Sequence, residues 1–543
     1  MHFDLDEAAP ERISTQTCVI GAGAAGITVA RRLLAAGQTV LLIESGGLDY
    51  EPATADLNAG ENVGQEYYEL DHARLRFFGG TTAIWGGRCA ELDAIDFQPR
   101  YWVPHSGWPI GKADLAPYYV EARRALELPD TPDVDGPVAE AMGLPDFDRA
   151  RIQPRLWSFD NRFNRFTFAS CADLRNHPAC TILTHATVRE IVADPAGKSI
   201  GWLDVQGLSG RRIRIDAGDY VLAAGGIENA RLLLASRSVR PRGLGNDHDQ
   251  VGRYFMEHPH ARGGRIVEGN SWAILNAFGR KHRIDGQDYA ALVTPGETLQ
   301  EQARLLNTSL TIAGRRSADV GESYAMRGYN RLKHDMEPTR LGRALWMRTK
   351  QASHLVLRHS EPARPWLLNK LGRLDVALVV RAEQAPNPAS RVTLSDEVDA
   401  MGVPRVRLDW RTTALDVDSV EGLVCALGRE MRRLGLGEVE PADWLGDPHR
   451  RWTTDPLISA HPIGGYHHIG TTRMSADPRH GVTDDRGRVH GIANLHVAGS
   501  SLFPTSGWAN PTLTIVALAL RTADAIAHRG VASPVTEREL VDA

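Results

Sequence analysis

The sequence predicts an α/β plus α+β architecture. A nucleotide-binding unit with a parallel sheet is joined to a second unit built on an antiparallel sheet with helices. Three observations predict it. Residues 17–44 read as a complete strand–turn–helix–strand unit. A second strand–turn–helix segment, Tyr220-Val-Leu-Ala-Ala-Gly-Gly226 into Glu228–Ala235, lies far downstream. Between about 265 and 455 short strand-like runs take over, including Leu374–Ala382 and Ser390–Leu394.

The 543 residues allow two to four domains of about 150 residues each. A chain of this size buries a core without disulfide staples. A net charge of −5 gives no general argument for nucleic acid. The five cysteines Cys18, Cys89, Cys171, Cys180 and Cys425 have neither C-x-x-C nor zinc-site spacing. They read as reduced thiols of a cytoplasmic protein, and no metal site is expected. Met1–Gln16 is acidic without a long apolar run, which argues against a secretory signal. No stretch reaches the ~18 apolar residues of a membrane span. An exported complex with a separate signal-bearing subunit is compatible with the same features.

In the first unit, Thr17–Ile20 reads as a buried strand, Gly21-Ala-Gly23-Ala-Ala-Gly26 as the turn, Ile27–Ala36 as the helix and Thr39–Ile43 as the second strand. Gly21 permits the sharp turn, Gly23 lets backbone approach a pyrophosphate, and Gly26 seats the helix on the strand. The helix amino terminus then offers free N–H groups and partial positive charge to phosphates. Glu44 ends the second strand, 18 residues past Gly26, where a carboxylate accepts hydrogen bonds from adenosine ribose hydroxyls. The motif alone does not separate FAD from NAD, but the carboxylate disfavours NADP.

Thr181–Arg189 reads as a further strand. With the 220–235 segment it either returns the chain to the first sheet or starts an independent α/β unit. Phe77-Phe-Gly-Gly-Thr-Thr-Ala-Ile-Trp-Gly-Gly87 is a glycine–threonine loop able to lie flat against a ring or phosphate. Gln384–Pro388 reads as a turn joining two strands, and Leu415–Leu434 as an amphipathic helix. Arg340–Arg373 carries eight Lys or Arg against one acid, Glu361, with Leu345, Trp346, Leu355 and Trp366 interleaved. Its scattered charges favour a solvated helical insertion near a substrate entrance over an acidic-partner or membrane surface.

The carboxyl-terminal part carries His461-Pro-Ile-Gly-Gly-Tyr-His-His-Ile-Gly-Thr-Thr-Arg-Met474, then Asn494–Pro504, then Trp508-Ala-Asn-Pro-Thr512 opening a helix to about Ala527. Asn510 before Pro511 reads as an N-cap followed by the first helical position. These blocks, with Gly21–Glu44 and Gly79–Gly87, resemble the glucose–methanol–choline (GMC) family of FAD oxidoreductases. Three blocks in the right order make the likeness far more specific than any one of them.

The resemblance implies the GMC fold, a Rossmann-like FAD-binding domain split over 1–110, 180–264 and 456–543. Segments 111–179 and 265–455 form the substrate domain. It implies oxidation of an alcohol carbon by hydride transfer to flavin N5, with His467 as general base. Asn510 stands at the family's second catalytic position and holds the alcohol oxygen. Asn there resembles the cholesterol, choline and pyranose oxidase branches. Flavin contacts are implied for Gly21, Gly23, Gly26, Glu44, Gly79, Gly80, Thr81, Thr82, Trp85 and Gly86. They are also implied for Val188, Ala224, Gly225, Ser500, Ser501, Pro511 and Thr512. His461, His468, Gln384 and Asn387 are lesser candidates near the site.

Two departures matter. Ile84 stands where some relatives attach FAD covalently through histidine, so a dissociable FAD is expected. Gly499 stands where many relatives carry Asp. The expected substrate is a small-molecule alcohol, best a sugar or glycoside secondary hydroxyl, with a steroid, terpenoid or simple alcohol as alternatives. The electron acceptor is O2 or an external acceptor. A non-redox flavoprotein of the cyanohydrin-cleaving kind is a different class, and a nicotinamide dehydrogenase or dinucleotide sensor is a third.

Overall fold

The computed structural model describes residues 1–162, 164–317, 338–345, 348–349, 360–459 and 461–531. The first sheet has the order β1 (His2–Asp4), β7 (Cys180–Thr184), β3 (Val40–Ile43), β2 (Arg12–Ile20), β10 (Arg212–Leu222), β9 (Ile200–Gln206), β8 (Thr187–Ala193). The first five run parallel, and β10, β9 and β8 form an antiparallel meander. β3 is buried at every residue, as a central parallel strand covered on both faces must be. The upper half of β10 also pairs in parallel with β19 (Leu495–Val497), which draws the carboxyl-terminal segment onto the same sheet.

β2 begins five residues before the expected strand. Those residues, Arg12–Gln16, alternate between exposed and half-buried and so carry no apolar signal. The run Thr181–Arg189 is not one strand. It breaks into β7 and β8 at His185, whose φ is +51 and whose ring is held between Asp4 and Glu51 at 2.7 and 2.9 Å. Both pieces do belong to the first sheet, as does the 220–235 segment.

The second sheet is antiparallel: β18 (Glu438–Pro441), β11 (His260–Val267), β15 (Asp375–Arg381), β14 (Ser309–Arg315), β13 (Gln287–Pro295), β6 (Ile152–Phe159), β5 (Arg88–Cys89), with β12 (His282–Ile284) on β13. One face buries Val376, Leu378 and Val380 in a cluster with Val417, Val420, Leu423, Val424 and Leu427. These last come from the helix Ala414–Arg433 and recur at helical spacing. Gln384–Pro388 does not join two strands of one sheet. β16 (Arg391–Val398) pairs instead with β17 (Pro404–Asp409), which pairs in parallel with β4 (Gly60–Asn62).

The chain ends meet through helices. Ala24–Ala35 packs against Thr512–Val531, and Arg32 grips Asp524 with two hydrogen bonds of 2.5 and 2.8 Å. All five cysteines are free, and Cys425 alone is exposed. Among the described residues, no helix is long and apolar enough to cross a membrane. Of the basic segment, Trp346 and Leu355 lie outside the described residues. Within it, Arg343 pairs with Asp49 at 2.9 Å and lies over Phe77 at 4.6 Å.

Arg231, on the buried helix Gly226–Ala235, locks three segments together. It bonds Glu228 (3.1 Å), Asp399 (2.6 Å) and the carbonyls of Leu57, Val403 and Pro404. Breaking a buried pair leaves uncompensated carboxylates. Arg231→Met should therefore cost about 3–5 kcal/mol in urea unfolding. A loss below about 1 kcal/mol would mean that solvent reaches Asp399 and Glu228.

Candidate active site

The amino-terminal turn is shaped by close approach. Gly21 has φ +104, and a Cβ on Gly26 would sit 1.9 Å from the Gly21 carbonyl oxygen. The turn opens on a cavity of about 1140 Å³ of empty space, part of it open to solvent. Gly21, Gly23, Glu44, Gly79, Gly80, Thr81, Thr82, Val188, Ala224, Gly225 and Ser500 all line it. A Cβ on Gly23, Gly225 or Gly499 would meet no protein atom within 4 Å. The backbone is bare where a ligand has to come close. His468 also lines the cavity, and its buried Nε2 has no hydrogen-bond partner among the described residues. Both features fit a dinucleotide cofactor lying along the turn.

Glu44 is engaged as well as placed. Its carboxylate accepts the N–H of Ala22 at 3.0 Å and of Gly46 at 3.1 Å, leaving each oxygen a lone pair for a hydroxyl. Burial raises its pKa. Arg74, Arg76 and Glu228 were not anticipated, and they line the same cavity. Burial opposes ionisation of Glu228, but Arg76, Arg231 and Arg74 overcome it and hold the carboxyl at about 2. The Arg-Leu-Arg run before Phe77 was the available signal.

Other expected contacts lie elsewhere. Gly26 packs beneath the turn. Ser501 is fully buried, its hydroxyl accepting from Asn229 at 3.0 Å. Trp85 and Gly86 do not line this cavity and lead instead to Arg88, whose Nη1 would lie 3.2 Å from a Cβ on Gly86. Pro511 accepts the N–H of Ile515 at 2.8 Å and so occupies the N-cap slot of the helix starting at Thr512. Asn510 is one residue earlier and is not the cap. Gly499 has φ +123, a conformation closed to Asp without strain.

Freed from capping, the Asn510 side chain faces His467, with Nδ2 3.3 Å from Nε2. His467 itself is set by a pairing of distant segments. Met256 and Ile469 exchange backbone hydrogen bonds of 3.0 Å, and the His260 N–H reaches the Ile463 carbonyl at 2.9 Å. This lays 463–469 beside 256–260. His467 Nδ1 then lies 2.8 Å from His258 Nδ1, and His258 Nε2 lies 2.8 Å from the Gly507 carbonyl. Gly465 leaves room for the ring, since a Cβ there would fall 2.6 Å from His467 Cε1.

Beneath the loop is Glu257, fully buried. It accepts from Tyr67 Oη at 2.7 Å and from the N–H groups of His258, Gly465 and His467 at 2.8, 3.2 and 2.9 Å. Burial pushes it up to about 7 against these bonds. Burial lowers His258 to about 4, and burial with His258, His260 and Arg381 pushes His467 well below 6.5. Glu257, His258 and His467 offer three metal-type ligand atoms within 4.8 Å. At 2.8 Å, however, the two Nδ1 atoms share a proton rather than an ion.

Of the lesser candidates, Gln384, Asn387 and His461 hold neighbouring segments. Gln384 is buried and takes the Glu257 N–H and the Trp410 indole N–H, both at 2.9 Å. Asn387 closes its own turn onto Ala389. The His461 carbonyl accepts from His260 Nδ1 at 2.6 Å. Glu257 and His258 were missed from the sequence. The Glu257-His-Pro-His260 run was their only mark.

Similar sequences and folds occur among known proteins. A family model described as FAD dependent oxidoreductase matches residues 16–244, and one described as GMC oxidoreductase matches residues 386–519. The chain is 27% identical to paromamine 6'-oxidase of Streptomyces fradiae, over 94% of this chain and 90% of that protein. It is 34% identical to C-glycoside 3-oxidase of Microbacterium trichothecenolyticum over 32% of this chain and 30% of that one. The fold of formate oxidase is similar, with a TM-score of 0.55 at 16% identity, covering 96% of this chain and 99% of that one. The amino-terminal part therefore matches an FAD-dependent oxidoreductase domain and the carboxyl-terminal part a GMC oxidoreductase domain, in the order that the GMC resemblance implies.

Proposed function

We propose that this enzyme oxidises a secondary hydroxyl of a sugar or glycoside to a carbonyl, with His467 as general base and Asn510 orienting the alcohol. FAD, when bound, supplies the two-electron acceptor that takes the hydride. Electrons then pass to O2 or an external acceptor. The glycoside reading is supported by the likeness to a C-glycoside 3-oxidase and by Asn at position 510. The domain division 1–110, 180–264 and 456–543 against 111–179 and 265–455 belongs to the same proposal. Sheet membership supports it, although β5 and the start of β11 belong to the second sheet and β4 pairs with β17. A cytoplasmic location is the companion proposal, supported by five unpaired cysteines.

The observation that carries the reading is the direction of one hydrogen-bond chain. The Gly507 carbonyl can only accept, so His258 donates from Nε2 and presents a lone pair at Nδ1. His467 must then donate from Nδ1, which leaves its Nε2 lone pair toward Asn510. An alcohol oxygen between the two would accept from the amide and give its proton to Nε2. The Nδ1–H to His258 is unchanged by that transfer, so the ring keeps its orientation as it charges.

Four measurements test these readings. His467→Ala should slow anaerobic flavin reduction by roughly 10²-fold or more, and an unchanged rate rejects the assignment. Complete bleaching failure with every sugar, glycoside, sterol and simple alcohol would favour the non-redox lyase class. A base depressed below 6.5 stays unprotonated as the pH falls through 6.5. The pH profile of kcat/KM should therefore be flat there and fall only at lower pH. A limb near 7 would point to Glu257 instead. Ile84 offers no nucleophile, so acid precipitation should release FAD into the supernatant. Flavin retained in the pellet would contradict a dissociable cofactor.

A further inference from the structure

The face of the second sheet turned away from the helix Ala414–Arg433 carries Trp157, Phe159, Arg155, Arg315 and Arg381. Strand alternation sets them opposite the apolar cluster that holds Leu156, Leu310, Ile312 and Val380. Three basic side chains on or beside this face have acidic or carbonyl partners. Arg155 pairs with Asp93 at 2.8 Å, Arg262 with Asp455 at 2.5 Å, and Arg315 reaches the Ile458 carbonyl at 2.7 Å.

Arg88 and Arg381 differ. Neither forms an ion pair among the described residues, and the Nε of each is sealed from solvent without a hydrogen-bond partner. Among the described residues the Arg381 side chain makes one hydrogen bond, from Nη1 to His260 Nε2 at 3.0 Å. Both guanidiniums lie against the Trp157 indole, with Cζ at 5.2 Å for Arg88 and 5.9 Å for Arg381. Arg88 also lies 5.7 Å from the Phe159 ring. Stacking uses the faces of these planar groups and leaves their in-plane N–H donors unused. Arginine does not shed its proton when buried, so the charge stays and repels its neighbour. Burial and that repulsion both work against Arg381.

This pair adjoins the reacting groups. Arg381 is one hydrogen bond from His260, two residues along the chain from His258, which holds His467. Trp157 lies 6.2 Å, ring to ring, from Trp508, two residues before Asn510. Arg88 follows the Gly79–Gly87 loop directly. Among the described residues these two fork-shaped cations, beside an alcohol-activating histidine, have no counter-ion, and an anion from outside would supply one.

We propose that Arg88 and Arg381 form the recognition site for an anionic group, a carboxylate or a phosphate, carried by the alcohol substrate. The proposal rests on the alcohol-oxidation reading and narrows its substrate to acidic sugars or other hydroxy-anions.

The test titrates FAD-loaded enzyme with acetate, inorganic phosphate, D-glucuronate and D-glucose, following the flavin spectrum and the melting temperature. At least one anion should bind roughly tenfold or more tightly than D-glucose, and acetate against phosphate ranks the two chemistries. Arg88→Gln and Arg381→Gln should each abolish that preference. Arg88→Met, which removes an uncompensated cation, should raise the ligand-free melting temperature by roughly 2 °C or more. Equal binding of all four probes, or a preference kept in both Gln variants, overturns the site. Anion binding without bleaching by any alcohol would sink the oxidation reading and leave this site standing. Bleaching by neutral sugars as fast as by their acids would do the reverse.

Discussion

One buried carboxylate holds the reactive loop in place. Glu257 receives a phenol from Tyr67, two backbone N–H groups from the 465–467 loop and one from His258. Its own N–H is held by Gln384. Amino-terminal, central and carboxyl-terminal segments are thereby tied at one point. A carboxylate so deep is tolerable only because its oxygens are fully hydrogen-bonded. Tyr466, next to His467, has φ +59, a strained conformation for a large side chain. The bonds on either side of it over-determine that backbone, as stored strain at a working site requires. The loop has little regular structure, and Glu257 holds its centre between the backbone bonds that Met256 and His260 make to Ile469 and Ile463.

Direction then propagates outward from a group that cannot change role. A carbonyl fixes His258, His258 fixes His467, and the lone pair emerges at Nε2. Burial keeps both rings neutral, because a charge on either would be poorly solvated. The arrangement is a base whose tautomer is settled by the fold before any substrate arrives.

What could be read from the sequence follows from how local each determinant is. The Gly21–Glu44 unit was legible because a positive φ, a close helix–strand approach and a terminal carboxylate each demand a particular residue nearby. The ends of β2 were not, since half-exposed Arg12–Gln16 has no apolar periodicity. The break at His185 depends on Asp4 and Glu51, each more than a hundred residues away. Likewise, His258 meets His467 across 209 residues, and only the folded chain brings them together. Asn510 was seen as both cap and catalyst because Asn-Pro suits a helix start. The helix in fact begins one residue later, and the amide is released toward the imidazole.

The two unpaired arginines connect recognition to basicity. Arg381 is among the charges that hold His467 down. An anion seated against Arg381 would cancel that repulsion, so His467 would become a stronger base when a substrate of the right charge is in place. A neutral alcohol would meet the weaker base. Acids are plentiful along the same sheet, where Asp93 and Asp455 neutralise Arg155 and Arg262. A carboxylate beside Arg88 or Arg381 would stabilise the fold, but it would occupy the charge permanently and remove the difference between an empty site and a filled one. Leaving the pair bare costs stability and keeps the base responsive to what binds.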